Sequence, residues 1–107
     1  MTDPAGPVTV TNDAADRNYQ ARLDGTVVGT LIYEVEGPRV VLTHTIVEPS
    51  YRGHGIGTTL VREALDDLRR DGKTITIMCP FVTDFIARHP AYADLVNAEH
   101  PGQPFRR

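Results

Sequence analysis

The chain has 107 residues, 40% hydrophobic and 23% charged, the composition of one globular domain and too short for a two-lobed enzyme. A net charge of −3 disfavours wrapping a phosphate backbone, and no apolar run approaches the roughly 18 residues of a membrane span. One cysteine, Cys79, rules out an internal disulfide and a thiolate-rich zinc cage, and Met1-Thr2-Asp3-Pro4 lacks a basic, then apolar, leader, so a cytoplasmic protein without metal, nucleic acid or membrane partner is expected.

Met1 to Pro7 and Asn97 to Arg107 are poor in apolar residues and read as mobile tails around a single domain over 8–96. Val8 to Thr11 alternates apolar and polar residues, and Tyr19, Ala21 and Leu23 continue a period of two, giving two strands broken around Asp13 to Asp16. Asp24-Gly25 marks a tight hairpin, because both residues tolerate positive φ. Thr26 to Glu36 is the return strand, with Val27, Leu31, Tyr33 and Val35 expected on one face. After Gly37-Pro38, Arg39 to Val47 forms a third long strand. Strict alternation places Val40, Leu42, His44 and Ile46 on one face, and Val41, Thr43, Thr45 and Val47 on the other.

Pro49 ends that strand, and a glycine-rich turn leads into a run where Ile56, Leu60, Val61, Ala64, Leu65 and Leu68 recur at helical spacing. Arg69 and Arg70 suit the negative helix end, with Gly72 just past it. Lys73 to Cys79 is a short strand halted by Pro80, and a last helix begins near Phe81 or Val82 and stops before Pro90. The fold class is α/β, with a mixed, mostly antiparallel sheet and two main helices.

A glycine turn between strand and helix leaves backbone N–H groups free to face an anion, assisted by the helix dipole, and diphosphate fits it best. The alternative is a turn whose glycines serve backbone geometry alone. A P-loop is excluded, since no Gly-Lys-Ser/Thr follows. The dinucleotide fingerprint fails because the sixth place from Gly53 is Thr58.

The run Val47-Glu48-Pro49-Ser50-Tyr51-Arg52-Gly53-His54-Gly55-Ile56-Gly57 resembles motif A of the GCN5-related N-acetyltransferases, matching its Arg/Gln-x-x-Gly-x-Gly/Ala pattern at Arg52, Gly55 and Gly57. With His44-Thr45 before it, Cys79-Pro80-Phe81-Val82 after it, and His89-Pro90 beyond, the chain from about Tyr19 to Val96 is similar to a small GCN5-related subgroup. The resemblance implies that acetyl-CoA is the co-substrate and that the strands Arg39 to Val47 and Lys73 to Cys79 diverge to admit its pantetheine arm. Backbone near Ile46 and Val47 would pair with that arm. Arg52, Gly53, His54, Gly55, Ile56, Gly57 and Thr58 would hold the pyrophosphate, with Phe81 beside them. Larger relatives carry early helices that wall the acceptor site; the stretch from Val8 to Leu23 is too short for these. The acceptor pocket is then either open or completed by a second subunit, in a monomer or homodimer.

Transfer from a thioester to an amine needs a base for the amine and an acid for the leaving thiolate. Histidine titrates near ~6.5 and cysteine near ~8.5, so His44 and Cys79 are the catalytic candidates. If the two share one cleft, an acetyl-cysteine intermediate becomes accessible. A buried, packed cysteine and a packed strand histidine are the competing readings. His89 reads as a helix end, Tyr92 as packing or an acid, His100 as part of the tail, and Asp66-Asp67 as a solvated helix face. The function expected is acetyl transfer to an unidentified amine; the alternative is a CoA-binding or acyl-CoA-binding module acting through a partner protein.

Overall fold

The computed structural model describes residues 8–102. The elements in order are β1 (Thr9–Asp13), β2 (Asn18–Leu23), β3 (Thr26–Glu36), β4 (Arg39–Val47), a 3-10 turn (Pro49–Tyr51), α1 (Ile56–Arg70), β5 (Thr74–Ile77), α2 (Pro80–Arg88) and a second 3-10 segment (Pro90–Leu95). They form one sheet ordered β1-β2-β3-β4-β5. The first four strands are antiparallel, and β5 is parallel to β4, as the connecting helix requires. The hairpin at Asp24-Gly25 has φ of 52° and 80°, the positive values that this dipeptide tolerates.

Both helices lie on one face of the sheet. Tyr19, Ala21, Leu31, Tyr33, Val40, Leu42, Ile75 and Ile77 supply the strand side of a single core, which Leu60, Val61, Ala64, Leu65, Val82 and Phe85 complete. Each fully buried aliphatic side chain there contributes about 1.5–3 kcal/mol by leaving water. Gly72, at φ 70°, ends α1: its N–H donates to Arg69 O and that of Lys73 to Leu68 O, satisfying two carbonyls that the helix itself leaves free. No helix among the described residues is long and apolar enough to cross a membrane.

Two bulges break the alternation on which the sequence reading relied. Tyr33 pairs with Leu42 but Ile32 with His44, so Thr43 is an extra residue on β4, its hydroxyl donating to Ile32 O at 3.0 Å. Beyond it every side chain is inverted: Val40 and Leu42 share the helix-covered face with Thr45 and Val47, whereas His44 and Ile46 join Val41 on the uncovered face. A second extra residue, Val28 on β3, takes the fully buried position expected of Val27, and Val35 is exposed.

The stretch from Asn97 does not begin as a free tail. The Asn97 N–H donates to Ile75 O at 2.8 Å, Ile77 N–H to Pro101 O at 3.0 Å, and the Thr76 hydroxyl to His100 O at 2.6 Å. Residues 97–102 therefore lie along the outer edge of β5. The tail expected over 1–7, and the last part of the other, 103–107, lie outside the described residues.

Candidate functional site

Pairing between β4 and β5 ends at Leu42 and Ile77, after which the Met78 N–H donates to Leu42 O and the chain turns into α2. From Thr43 onward β4 is paired only with β3 among the described residues. The strands thus separate at their carboxyl ends and leave one edge of β4 with unpaired backbone groups.

A cavity of about 550 Å³ opens from this split. Thr45, Ile46 and Val47 form its β4 side, Tyr51 to Gly53 and Gly55 to Thr58 its glycine turn, and Phe81 its far wall. Gly53 and Gly55 have φ of 85° and 77°, which a side chain would strain. The first N–H to bond within α1 is that of Thr59, to Gly55 O, so the preceding amides of the helix start have no partner among the described residues, with no side-chain cap and no acidic residue in the first turn. Free N–H groups and the positive end of the helix dipole make this corner suited to an anion. Gly57 is needed for close approach, because a Cβ there would stand 2.8 Å from Phe81 Cζ.

The structure brings most of the expected cofactor residues together. Ile46, Val47, Arg52, Gly53, Gly55, Ile56, Gly57, Thr58 and Phe81 all line the cavity. His54 does not; it is exposed, with its ring 6.4 Å from that of Tyr51. Thr45 and Tyr51 line the cavity without having been singled out. Thr45 reaches it only through the bulge at Thr43, and Tyr51 only through the 3-10 turn after Pro49, neither of which strand or helix periodicity registers.

The two catalytic candidates are not brought together. Cys79 is 4% exposed at the start of α2, and its sulfur lies 3.2 Å from the hydroxyl of Thr45. His44 is exposed on the opposite, uncovered face of β4. The expectation of a shared cleft followed from uninterrupted alternation; the bulge inserts one residue and sends the imidazole through to the other side.

His89 and Tyr92 are tied up elsewhere. The His89 Nδ1 is 2.9 Å from Phe85 O and its ring stacks on Phe85 at 4.2 Å. The Tyr92 hydroxyl donates to Asp66 at 2.8 Å, and that bond, with some burial, raises the phenol's pKa. On the other flank of α1, Tyr19 donates to Asp67 at 2.6 Å. Asp66-Asp67 is therefore not merely a solvated helix face: each carboxylate anchors α1 to a tyrosine from another element.

A parallel strand pair that splays at its carboxyl end, with a glycine turn and helix start closing the gap, defines this chain as an acyltransferase-type domain of the GCN5-related fold. The model of the GCN5-related N-acetyl-transferase family matches residues 18–95. Mouse protein NATD1 is 32% identical over 90 residues, covering 82% of each chain. A GCN5-like protein from Staphylococcus aureus superposes with a TM-score of 0.61 over 92% of this chain and 91% of its own, at 14% identity, a likeness of fold. A GNAT family acetyltransferase from Brucella melitensis, solved with acetyl-CoA, is 29% identical with a TM-score of 0.51, over 60% of this chain and 47% of that one, so this chain corresponds to under half of that enzyme's length. The chain belongs to the GCN5-related N-acetyltransferase family.

Proposed function

We propose that the chain transfers the acetyl group of acetyl-CoA to an amine. The observation that carries this reading is the cavity in the β4–β5 split, where a strand edge with free backbone groups meets the free amides of a glycine turn. That pairing suits one ligand with an amide-bearing arm and a diphosphate, and the Brucella relative was solved with such a ligand. The amides of Gly53 to Thr58, with Arg52, hold the diphosphate. The unpaired edge around Ile46 and Val47 takes the arm, and Phe81 packs beside it. Acetyl-CoA supplies an activated acyl group when bound.

His44 and Cys79 act from opposite faces of the sheet. His44, on the uncovered face, takes the proton of an amine arriving from that side. Cys79, inside the split, donates its thiol proton to the departing CoA thiolate and regains it from water. The C–S bond of the thioester breaks as the C–N bond forms. The residue on the Cys79 sulfur is Thr45, whose hydroxyl is no base near neutral pH, so direct transfer is favoured over an acetyl-cysteine intermediate.

Calorimetric titration with acetyl-CoA tests the binding step, with saturable uptake of one molecule per chain expected. Release of free CoA thiol is then followed with a panel of amines in the wild type, His44→Ala and Cys79→Ala. Both variants should bind acetyl-CoA normally and transfer more slowly, by ~10²-fold or more for the base. Full transfer in both removes these roles. The uncovered face, where the described residues offer no wall around an acceptor, favours a second reading, a CoA-binding or acyl-CoA-binding module working on or with a partner protein. Tight acetyl-CoA binding without turnover of any amine would select it.

A further inference from the structure

The two edges of the sheet are finished differently. The outer edge of β5 is covered by residues 97–102 through four hydrogen bonds, the fourth from the Asn97 side chain to the Thr74 hydroxyl. β1 at the opposite edge has β2 as its only strand neighbour among the described residues. Its five residues, Thr9 to Asp13, contain no lysine, arginine or proline, and their one charge, Asp13, stands at the end of the strand, so the stretch before it lacks the residues that ordinarily keep a second strand away from an exposed edge. We propose that β1 is paired, antiparallel and about a two-fold axis through Val10, with β1 of a second copy of this chain, joining the two sheets into one continuous sheet.

Two independent features favour a second copy over any other strand. The first is self-complementarity. Centring the pair on Val10 sets Thr9 opposite Thr11 and Val8 opposite Asn12, each with its counterpart on the same face. Threonine pairs across strands are favourable. Val10 points to the helix-covered face, where it already packs half-buried against the core, and a copy of itself would finish covering it. Thr9 and Thr11 are exposed, so no described residue of the chain competes for that position.

The second feature is charge. α1 borders β1: Glu63, Asp67 and Arg70 line a small cleft of about 80 Å³ with Val10, Asn12 and Tyr19. Glu63 and Arg70 therefore lie on the β1 side of the helix, separated along its axis by ~10 Å. The two-fold axis runs the helices of two copies antiparallel, so the proposed register turns Glu63 of each toward Arg70 of the other. Glu63 is exposed and has no ion pair among the described residues. Arg70 has a single contact of 3.4 Å to Asp67, with its side chain 68% exposed. Both charges are thus available, and the symmetry makes the complementary contact twice.

Sedimentation equilibrium of the full chain at micromolar to several hundred micromolar concentration is the test. The wild type should show twice the chain mass. Thr9→Lys with Thr11→Lys sets lysines opposite one another across the axis and should raise the dimer dissociation constant at least ~10-fold. Glu63→Arg and Arg70→Glu should each weaken the dimer, and combining the two should restore it, because the pairing is only inverted. Far-UV circular dichroism and urea midpoints establish that the variants are folded. A wild type that stays monomeric throughout overturns the proposal, as does a dimer indifferent to the β1 lysines. Failure of the combined exchange to recover what each single change loses overturns the register.

Discussion

Gly57→Ala separates the packing of the cleft from the stability of the fold. The added Cβ would stand 2.8 Å from Phe81 Cζ and 3.2 Å from Cε2, while carbon atoms pack at about 3.5–4.0 Å, so the ring must retreat by roughly 0.5–1 Å. Phe81 is 41% exposed and has solvent to move into, at a cost of about 0.5–1.5 kcal/mol if it leaves its rotamer well. Replacing glycine by alanine within a helix returns up to about 1 kcal/mol. The two terms nearly cancel, and the thermal midpoint should move by less than about 5 °C. The cleft does not share that compensation, because the displaced ring is its far wall. Acetyl-CoA affinity should fall about tenfold, close to 1.4 kcal/mol, in a calorimetric titration. Phe81→Ala removes the clash, so Gly57→Ala should change affinity little once Phe81 is gone. Additive losses in the two single variants and the double variant would show that Gly57 acts on the ligand directly, and would refute the argument from the ring.

Three further outcomes follow from contacts outside the cleft. Burial, then the hydrogen bond to Asp67, raises the Tyr19 phenol far above its ordinary value, and burial raises Tyr33. Raised values favour the neutral phenol in the folded state, so this stability is complete below the ordinary tyrosine pKa near ~10 and drains away as pH climbs beyond it. Urea midpoints measured from about pH 8 to 11 should decline along that limb, and Tyr19→Phe should flatten it. Tyr92→Phe removes the bond to Asp66 and should lower stability by about 1 kcal/mol while leaving acetyl-CoA affinity unchanged; a change in affinity would place Tyr92 in the site after all. Gly102→Ala should release residues 97–102 from β5, since φ is 97° there and a Cβ would overlap the carbonyl of Ile77. Faster exchange of the Ile77 amide, which donates to Pro101, and of the Asn97 amide, which donates to Ile75, is the readout, and unchanged exchange would show that the backbone adjusts in place.

Local signals settled a large part of this protein. Asp24-Gly25 set its hairpin, the helical spacing from Ile56 to Leu68 set α1, and Gly72 set its end, because each depends on interactions within a few residues. The glycine turn announced an anion corner on the same footing, since Gly53 and Gly55 adopt positive φ whatever lies across the sheet from them. The turn residues of the cleft were legible for that reason, whereas Ile46, Val47 and Phe81 were expected there only from the resemblance to the family. Tertiary structure decided the rest. Nothing in Arg39 to Val47 signals that Thr43 is an extra residue; only the register against β3 makes it one, and that single residue sends His44 to one face and Thr45 to the side of Cys79. Asp66 and Asp67 look solvated along the helix, yet each meets a tyrosine distant in sequence. Residues 97–102 look like tail until the outer edge of β5 offers them partners. Periodicity records which side chains a strand or helix can place together. Which face they reach is set by pairing between segments far apart in the chain, where one inserted residue inverts everything beyond it.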